Sequence, residues 1–168
     1  LPFPRELVYT TYRDRLSDLV PYMTNVSSIQ EKSRQETEGK IHCVNEWHGG
    51  ATIPAAVKVF LGEGLLSWTE YAVWDLSNFT LEWRIEPHIF TKAVRCSGKN
   101  SFLDKDNTTI VENRGSLQID PNQLQEVPFL LRNPVAKIAE EFLGKQIEPN
   151  LNQMSQCIEQ YLARSTKF

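Results

Sequence analysis

Hydrophobic residues near the C-terminal end recur at the spacing of an amphipathic helix. Asn133 can cap the first turn, and Pro134 suits the first helical position, where its missing N–H costs nothing. Apolar residues then recur every three or four positions up to about Arg164, with an interruption between Gly144 and Pro149. The pattern predicts one long helix kinked at Pro149. The alternative is two helices, with Gly144 ending the first and Pro149 beginning the second.

The N-terminal pattern predicts two short helices. Residues 4–14 and 15–23 each carry apolar side chains at helical spacing, and Pro21 favours a kink or an end in the second. The apolar run at residues 53–66 fits either a short helix or a buried strand, and we favour a helix that leads into a loop.

Between these helices the period of the apolar residues changes to two, which is typical of β-strands. The clearest strand is 79–85, where Leu81 and Trp83 should face the core while Glu82 and Arg84 face solvent. Residues 34–39 are polar and predict the connection of the first hairpin. We predict six strands, linked mainly as hairpins, at residues 26–33, 40–48, 68–75, 79–85, 92–103 and 108–119.

The order of these elements predicts the fold class. Hairpins imply antiparallel pairing, and an antiparallel sheet with one apolar face needs a cover. The C-terminal helix is the only predicted element long enough to lie along that face. We therefore predict an α+β helix-grip fold in one domain, residues 1–168. Its antiparallel sheet of six to seven strands wraps around the long C-terminal helix, with two short helices near the N-terminus.

Composition and charge exclude some classes of function. With 40% hydrophobic and 23% charged residues among 168, the chain can bury a core of its own. A formal net charge of -3, without a basic run interleaved with aromatic residues, argues against a nucleic-acid partner. No apolar run approaches the roughly 20 residues that a membrane span needs. Cys43, Cys96 and Cys157 are odd in number and widely spaced, which favours reduced thiols and a cytoplasmic location.

The residues that most often carry chemistry form no recognised motif. His42, His48 and His88 lack the spacing of a zinc site, so we predict neither a metal nor a cofactor.

Three charged strand residues are candidates for acid–base chemistry in a pocket. Glu70, Asp75 and Arg84 could serve in this way, but charged residues in strands more often face solvent. The sequence therefore does not identify a catalytic residue.

The layout of the whole chain resembles a known superfamily. The N-terminal PRELVYTTYRDRLSDLVPYM, the central SWTEYAVWD and FTLEWRIEP, the late strand TTIVENRGSLQID and the long final helix resemble START-like proteins. That superfamily includes birch-pollen-type allergens, polyketide cyclases and lipid-transfer domains. Its members usually begin with a strand, whereas here only residues 1–3 precede Pro4. The resemblance implies a large apolar cavity between sheet and final helix. Different members use it to bind lipids, sterols, quinones or polyketides, and occasionally to catalyse.

Several residues are candidates to line such a cavity. The tryptophans at 47, 68, 74 and 83 all fall in predicted strands. Each is either a core residue or part of a rigid wall for an apolar ligand. Asn45 and Asn113 interrupt apolar rows, so each should bond to backbone or meet a polar group of a ligand. The predicted ligand-binding residues are Asn45, Trp47, Trp83, Val111, Asn113, Phe142, Met154, Ile158 and Tyr161.

The predicted function is binding of a hydrophobic small molecule that is lipid-, quinone- or polyketide-like, as carrier, sensor or chaperone. Two alternatives remain open from the sequence. One is a cyclase or aromatase-type enzyme that uses the same cavity. The other is a partner-binding module with a filled core.

Overall fold

The computed structural model describes residues 1–50, 55, 58–59 and 66–165, apart from the side chains of residues 146, 149 and 150. The prediction for residues 53–66 falls mainly outside this set. The described elements are α1 (Arg5–Asp14), a 3-10 helix (Leu16–Tyr22), β1 (Val26–Thr37), β2 (Lys40–Gly49), β3 (Ser67–Asp75), β4 (Thr80–Pro87), β5 (Val94–Lys105), β6 (Thr108–Ile119), two 3-10 turns (Pro121–Gln123 and Phe129–Leu131) and α2 (Arg132–Ser165).

The six strands form one antiparallel sheet in the order β1-β2-β3-β4-β5-β6. Each strand pairs with the next along the chain, as the hairpin pattern predicts. With α2 lying against one face of the sheet and the short helices near the N-terminus, the predicted α+β helix-grip fold is confirmed. No helix in the described part of the chain is both long and apolar enough to cross a membrane.

The alternation of buried and exposed residues in β4 shows which face of the sheet points to the core and which points to solvent. Leu81 and Trp83 are only 1% and 5% exposed, whereas Glu82 and Arg84 are exposed. The predicted register of this strand is therefore confirmed. Because successive side chains of a strand point to opposite faces, this register also determines which residues of β3 and β5 face α2.

The first hairpin is longer than the sequence predicts. Residues 34–37 continue β1 instead of forming a loop, and Glu38 and Gly39 make the turn with positive φ angles of 52° and 74°. Residues 31–37 of β1 are exposed on both faces. Since neither face is buried there, no apolar alternation marks the strand in the sequence.

The C-terminal element is one helix of 34 residues, not two. It continues through Gly144 and Pro149, so neither residue ends it, and the kink at Pro149 stays a prediction. At 1.5 Å per residue the helix is about 50 Å long. Its buried side includes Ala139, Leu143 and Met154.

The first residues pair with the edge of the sheet beside β6. The backbone N of Leu1 donates to the carbonyl of Thr109 at 2.8 Å, and the backbone N–H of Thr109 donates to the carbonyl of Leu1 at 2.9 Å. The Thr109 hydroxyl also donates to the carbonyl of Phe3 at 2.7 Å. Exchange of both backbone bonds is the pattern of an antiparallel pair. Leu1 therefore lies beside the β6 edge of the sheet as the antiparallel partner of Thr109.

Aromatic side chains fill the space beneath α1. Tyr9 meets Trp74 and Phe102 edge to face, with ring centroids 5.2 and 5.1 Å apart, and Tyr12 meets Trp74 at 5.2 Å. Edge-to-face contacts of this kind add to the stabilisation from burial. The core beneath α1 is therefore filled by interlocking aromatic rings.

Candidate functional site

The strand register brings Glu70 to the inner face of the sheet. Glu70 lies opposite Asn45 on β2 and opposite Ile85 on β4. It is separated by an even number of residues from Trp68 and Trp74 in β3, so it points to the same face as these two buried side chains. Glu70 is itself only 7% exposed. The expectation that charged strand residues face solvent is therefore wrong for Glu70.

Two neutral donors make this burial possible. The amide Nδ2 of Asn45 and the indole Nε1 of Trp47 donate to the same carboxyl oxygen, Glu70 Oε2, at 3.0 and 3.1 Å. These two bonds use both lone pairs of that oxygen. Among the described residues, no donor forms a hydrogen bond with Oε1. Burial raises the pKa of Glu70 above its ordinary value, and the two hydrogen bonds only partly oppose that shift.

Asn100 on β5 is a second buried polar group. The Oδ1 atom of Asn100 accepts a hydrogen bond from the indole Nε1 of Trp83 at 3.0 Å. Burial raises the pKa of the Tyr12 hydroxyl; the nearby charge of Glu70 raises it further, and the amide of Asn100 opposes the shift. Tyr12 therefore keeps its proton at any ordinary pH and can act as a neutral donor.

Trp83 lies across the sheet over two glycines. The register places Trp83 opposite Gly98, and Gly98 opposite Gly115. A Cβ atom on Gly98 would lie 2.3 Å from Trp83 Cζ2, and one on Gly115 would lie 2.8 Å from the same ring. Both distances are far below van der Waals contact. The two glycines are thus required for the indole to lie flat on β5 and β6.

A hollow lies between this part of the sheet and the middle of α2. Its inner chamber, beside Glu70, has a volume of about 30 Å³, and its outer groove, between β6 and α2, about 360 Å³. The side chains of Trp83, Ile147 and Leu151 line both spaces. The chamber is large enough for one or two water-sized groups, and the groove reaches the size of a small-molecule site.

Asn113 marks the polar side of the outer groove. Its Nδ2 atom donates to the backbone carbonyl of Leu151 in α2 at 3.1 Å. Its Oδ1 atom is buried and has no hydrogen-bond partner within the described part of the protein. A buried acceptor without a donor is costly, so a ligand N–H or O–H at this position would be favoured.

The structure brings only part of the predicted site together. Trp47, Trp83 and Met154 line the inner chamber, and Asn113 lines the outer groove. Asn45 supports the site through its bond to Glu70.

The other four predicted residues line neither space. Phe142 is buried in the core, and Ile158 is only 1% exposed. Tyr161 meets Tyr22 edge to face at 6.5 Å, and Val111 lies opposite Phe102 in the strand pair. Beyond Met154 the helix packs against the 3-10 helix, where the thiol of Cys157 donates to the carbonyl of Tyr22 at 3.2 Å. The hollow therefore lies nearer the start of α2 than the apolar stripe predicts.

Sequence reasoning missed Tyr12, Glu70 and Ile147 as lining residues. A signal for Glu70 was present, because it shares its strand parity with Trp68 and Trp74. The helical spacing in residues 4–14 places Tyr12 on the inward face of α1, but it does not show that this side chain meets the hollow.

The thiols and histidines form no reactive centre in the described residues. Cys43, Cys96 and Cys157 are all buried and free, and burial raises the pKa of Cys43 and of Cys96 to about 11. Such thiols stay protonated and are poor nucleophiles at neutral pH. Within the described ranges, no three His, Cys, Asp or Glu side chains are grouped so as to hold a metal ion.

Comparison with known proteins supports the fold. No protein-family model matches the sequence, and no curated protein matches it. The chain is similar to the crystal structure of the Zhui aromatase/cyclase from Streptomyces sp. R1128, with a TM-score of 0.60 and 15% identity over 96% of this chain and 90% of that one. The helix-grip resemblance predicted from the sequence is thus confirmed as a similarity of fold. At this identity the similarity extends to the fold alone.

A second structure matches less closely. The di-domain ARO/CYC StfQ from the steffimycin biosynthetic pathway gives a TM-score of 0.47 and 16% identity over 84% of this chain. The match spans 43% of that protein.

Proposed function

We propose that this protein binds a hydrophobic small molecule in the hollow between the sheet and α2. The observation that carries the proposal is that the inner chamber and the outer groove lie side by side and share Trp83, Ile147 and Leu151 as lining residues. Protein interiors normally pack to the density of organic crystals. A hollow lined by large apolar side chains with a few polar groups is instead the usual form of a small-molecule site.

The chemistry of the walls supports an apolar ligand with a polar end. The inner chamber is lined mainly by aromatic and aliphatic side chains, and Glu70 and Tyr12 supply its polar groups. The helix-grip fold shared with an aromatase/cyclase agrees with a ligand that is lipid-, quinone- or polyketide-like. The role would be that of a carrier, sensor or chaperone.

The location that best fits this role is the cytoplasm. Three free, buried cysteines are stable without pairing in a reducing compartment. The net charge of -3 gives no electrostatic attraction to nucleic acid.

Two measurements test the proposal. Native mass spectrometry of the purified protein should show a bound apolar molecule that is lost on denaturation. Titration with Nile red, a neutral fluorescent probe, into protein freed of that molecule should show saturable binding at one site per chain. A protein that carries no ligand and does not bind the probe would instead be the partner-binding module with a filled core.

A second candidate function is catalysis of the cyclase or aromatase type. The specific observation in its favour is Glu70, a buried carboxyl whose raised pKa favours the protonated form that a general acid needs. In that case the Glu70→Gln variant would still bind the substrate but would no longer convert it. If substrate conversion is unchanged by this substitution, Glu70 has no part in proton transfer.

A further inference from the structure

The inner chamber combines an aromatic lining with one acidic group. Tyr12, Trp47, Trp68 and Trp83 provide aromatic rings, and Glu70 is the only one of the described lining residues that can carry a charge at neutral pH. No lysine, arginine or histidine is among the lining residues. Aromatic rings attract cations through their negative faces, and a carboxylate attracts them more strongly.

The two oxygens of Glu70 differ in a way that matters for a ligand. Oε2 already accepts two hydrogen bonds, from Asn45 and Trp47. Oε1 accepts none from the described residues, although Glu70 lines the chamber. A buried carboxylate without a positive partner is costly, and the cost is removed when a cation is placed beside it. Oε1 is therefore the free position for a ligand group.

We infer that the inner chamber takes the ammonium group of an apolar amine, with an N–H of the ammonium donating to Glu70 Oε1. The apolar body of the amine lies in the outer groove along Trp83 and Leu151. This assignment rests on the proposed function and names the ligand class for the same site.

The volumes of the two spaces agree with this division. A chamber of about 30 Å³ accommodates a group the size of an ammonium ion, and the groove of about 360 Å³ accommodates the body. The Asn113 Oδ1 atom in the groove offers a further acceptor to a second N–H or O–H of the ligand.

The other titratable groups beside Glu70 do not compete for the cation, and the Glu148 carboxylate lines the outer groove, not the chamber. Tyr12 on α1, Cys43 on β2 and Cys157 on α2 all have pKa values raised by burial, so they are neutral near pH 7. The residues of α2 that line the chamber, Ile147, Leu151 and Met154, do not titrate. The ionisation of Glu70 therefore controls ammonium binding. Where Glu70 is protonated in the free protein, binding of the ammonium ion releases that proton to solvent.

Three probes of one shape test the inference. These are 2-naphthylmethylamine, 2-naphthylmethanol and 2-methylnaphthalene, each used to displace bound Nile red. The amine should bind the wild-type protein about tenfold or more tightly than the alcohol, because a hydrogen bond to a charged group is worth that much or more. The comparison is made at about pH 5 and about pH 8, and the advantage of the amine should be larger at the higher pH because a larger fraction of Glu70 is ionised there.

The Glu70→Gln variant should lose this preference. Its amide oxygen can still accept the bonds from Asn45 and Trp47, but it carries no charge. The amine should then bind about tenfold or more weakly than to wild type, while binding of the alcohol changes by less than about threefold. Glu82→Gln, an exposed change on the opposite face of the sheet, is the matched control and should leave all three affinities unchanged.

The possible failures are distinguishable. The ammonium assignment is wrong if the alcohol or the hydrocarbon binds wild-type protein as tightly as the amine. It is also wrong if Nile red binds and the amine does not displace it. In both cases the proposed function stands. If neither Nile red nor any of the three probes binds, both are wrong. If Glu70→Gln does not fold, the wild-type comparison of amine with alcohol at the two pH values decides the question.

Discussion

Asn45 on β2 and Glu70 on β3 lie directly opposite each other, and the Asn45 Nδ2 atom donates to Glu70 Oε2 at 3.0 Å. Together with the bond from Trp47, this contact holds a carboxyl group at the inner end of the hollow. The donors are neutral, so they orient the carboxyl without supplying a positive charge. Burial therefore still raises its pKa.

The first prediction concerns the pH dependence of stability. Because the pKa of Glu70 is higher in the folded protein than in the unfolded chain, the folded state retains a proton that the unfolded state loses. This group's contribution to the free energy of unfolding should be complete below the unfolded pKa, about 4.3, and should decline as pH rises through the folded pKa.

Glu70→Gln isolates this contribution. Relative to wild type, the variant should be nearly equal in stability at about pH 4 and progressively more stable towards pH 8. Urea denaturation of both proteins across this range measures the difference, and Glu82→Gln controls for the loss of a surface charge. A difference that is constant with pH, or one that favours wild type at high pH, would contradict the assignment of Glu70 as a buried acid with a raised pKa.

The second prediction tests the packing of Trp83 on glycine. Gly98→Ala places a Cβ atom 2.3 Å from Trp83 Cζ2 and 2.4 Å from the backbone oxygen of Arg114. Neither atom can move without disturbing the sheet, so the variant should lose about 2 kcal/mol or more of its free energy of unfolding. Near-ultraviolet circular dichroism should also change, because the environment of the indole changes.

Gly144→Ala is the matched control for that substitution. A Cβ at Gly144 meets nothing within 4 Å, and the residue lies inside α2. Alanine there should stabilise the protein by about 0.5–1 kcal/mol, because glycine is a poor residue for a helix interior. Equal effects of the two alanines would show that the close contact at Gly98 is not real.

The third prediction compares two neighbours in β4. Leu81 is fully buried, and its replacement by alanine should cost about 2–5 kcal/mol through lost burial and a cavity. Glu82→Ala removes an exposed ion pair with Lys99 and should change stability by no more than about 0.5 kcal/mol. Thermal denaturation separates the two cases. The reverse ranking would mean that the sheet faces are exchanged.

The fold was predictable from the sequence because its main determinants are periodic. Apolar residues alternate from Leu81 to Ile85 and form a helical stripe along α2. Each pattern extends over several residues and marks a single face that must be buried against another element. The end of β1 was not predictable, because both of its faces are exposed there and the hydrophobic pattern disappears.

The site was predictable only in part, because it depends on contacts between distant elements. Trp47, Trp83 and Met154 follow from apolar periodicity. To predict that Glu70 points inward, one would have had to rely on its alternation with Trp68 and Trp74 and not on the usual preference of a charged side chain for solvent. The position of the hollow along α2 depends on how the Trp83 indole lies over Gly98 and Gly115, which no local pattern in the sequence shows.

The central claim is that the hollow is a binding site, and two tryptophan substitutions in α2 test it most directly. Leu151→Trp should fill the shared wall of the chamber and groove, whereas Ile158→Trp adds the same volume to a packed region outside them. Overpacking of a filled core typically costs about 1–3 kcal/mol.

The decisive measurement is Nile red titration of wild type, Leu151→Trp and Ile158→Trp, with a melting temperature for each. We expect saturable binding to wild type, loss of binding with little change in melting temperature for Leu151→Trp, and a lowered melting temperature for Ile158→Trp. Binding that persists unchanged in Leu151→Trp, or that is absent from wild type, would contradict the account.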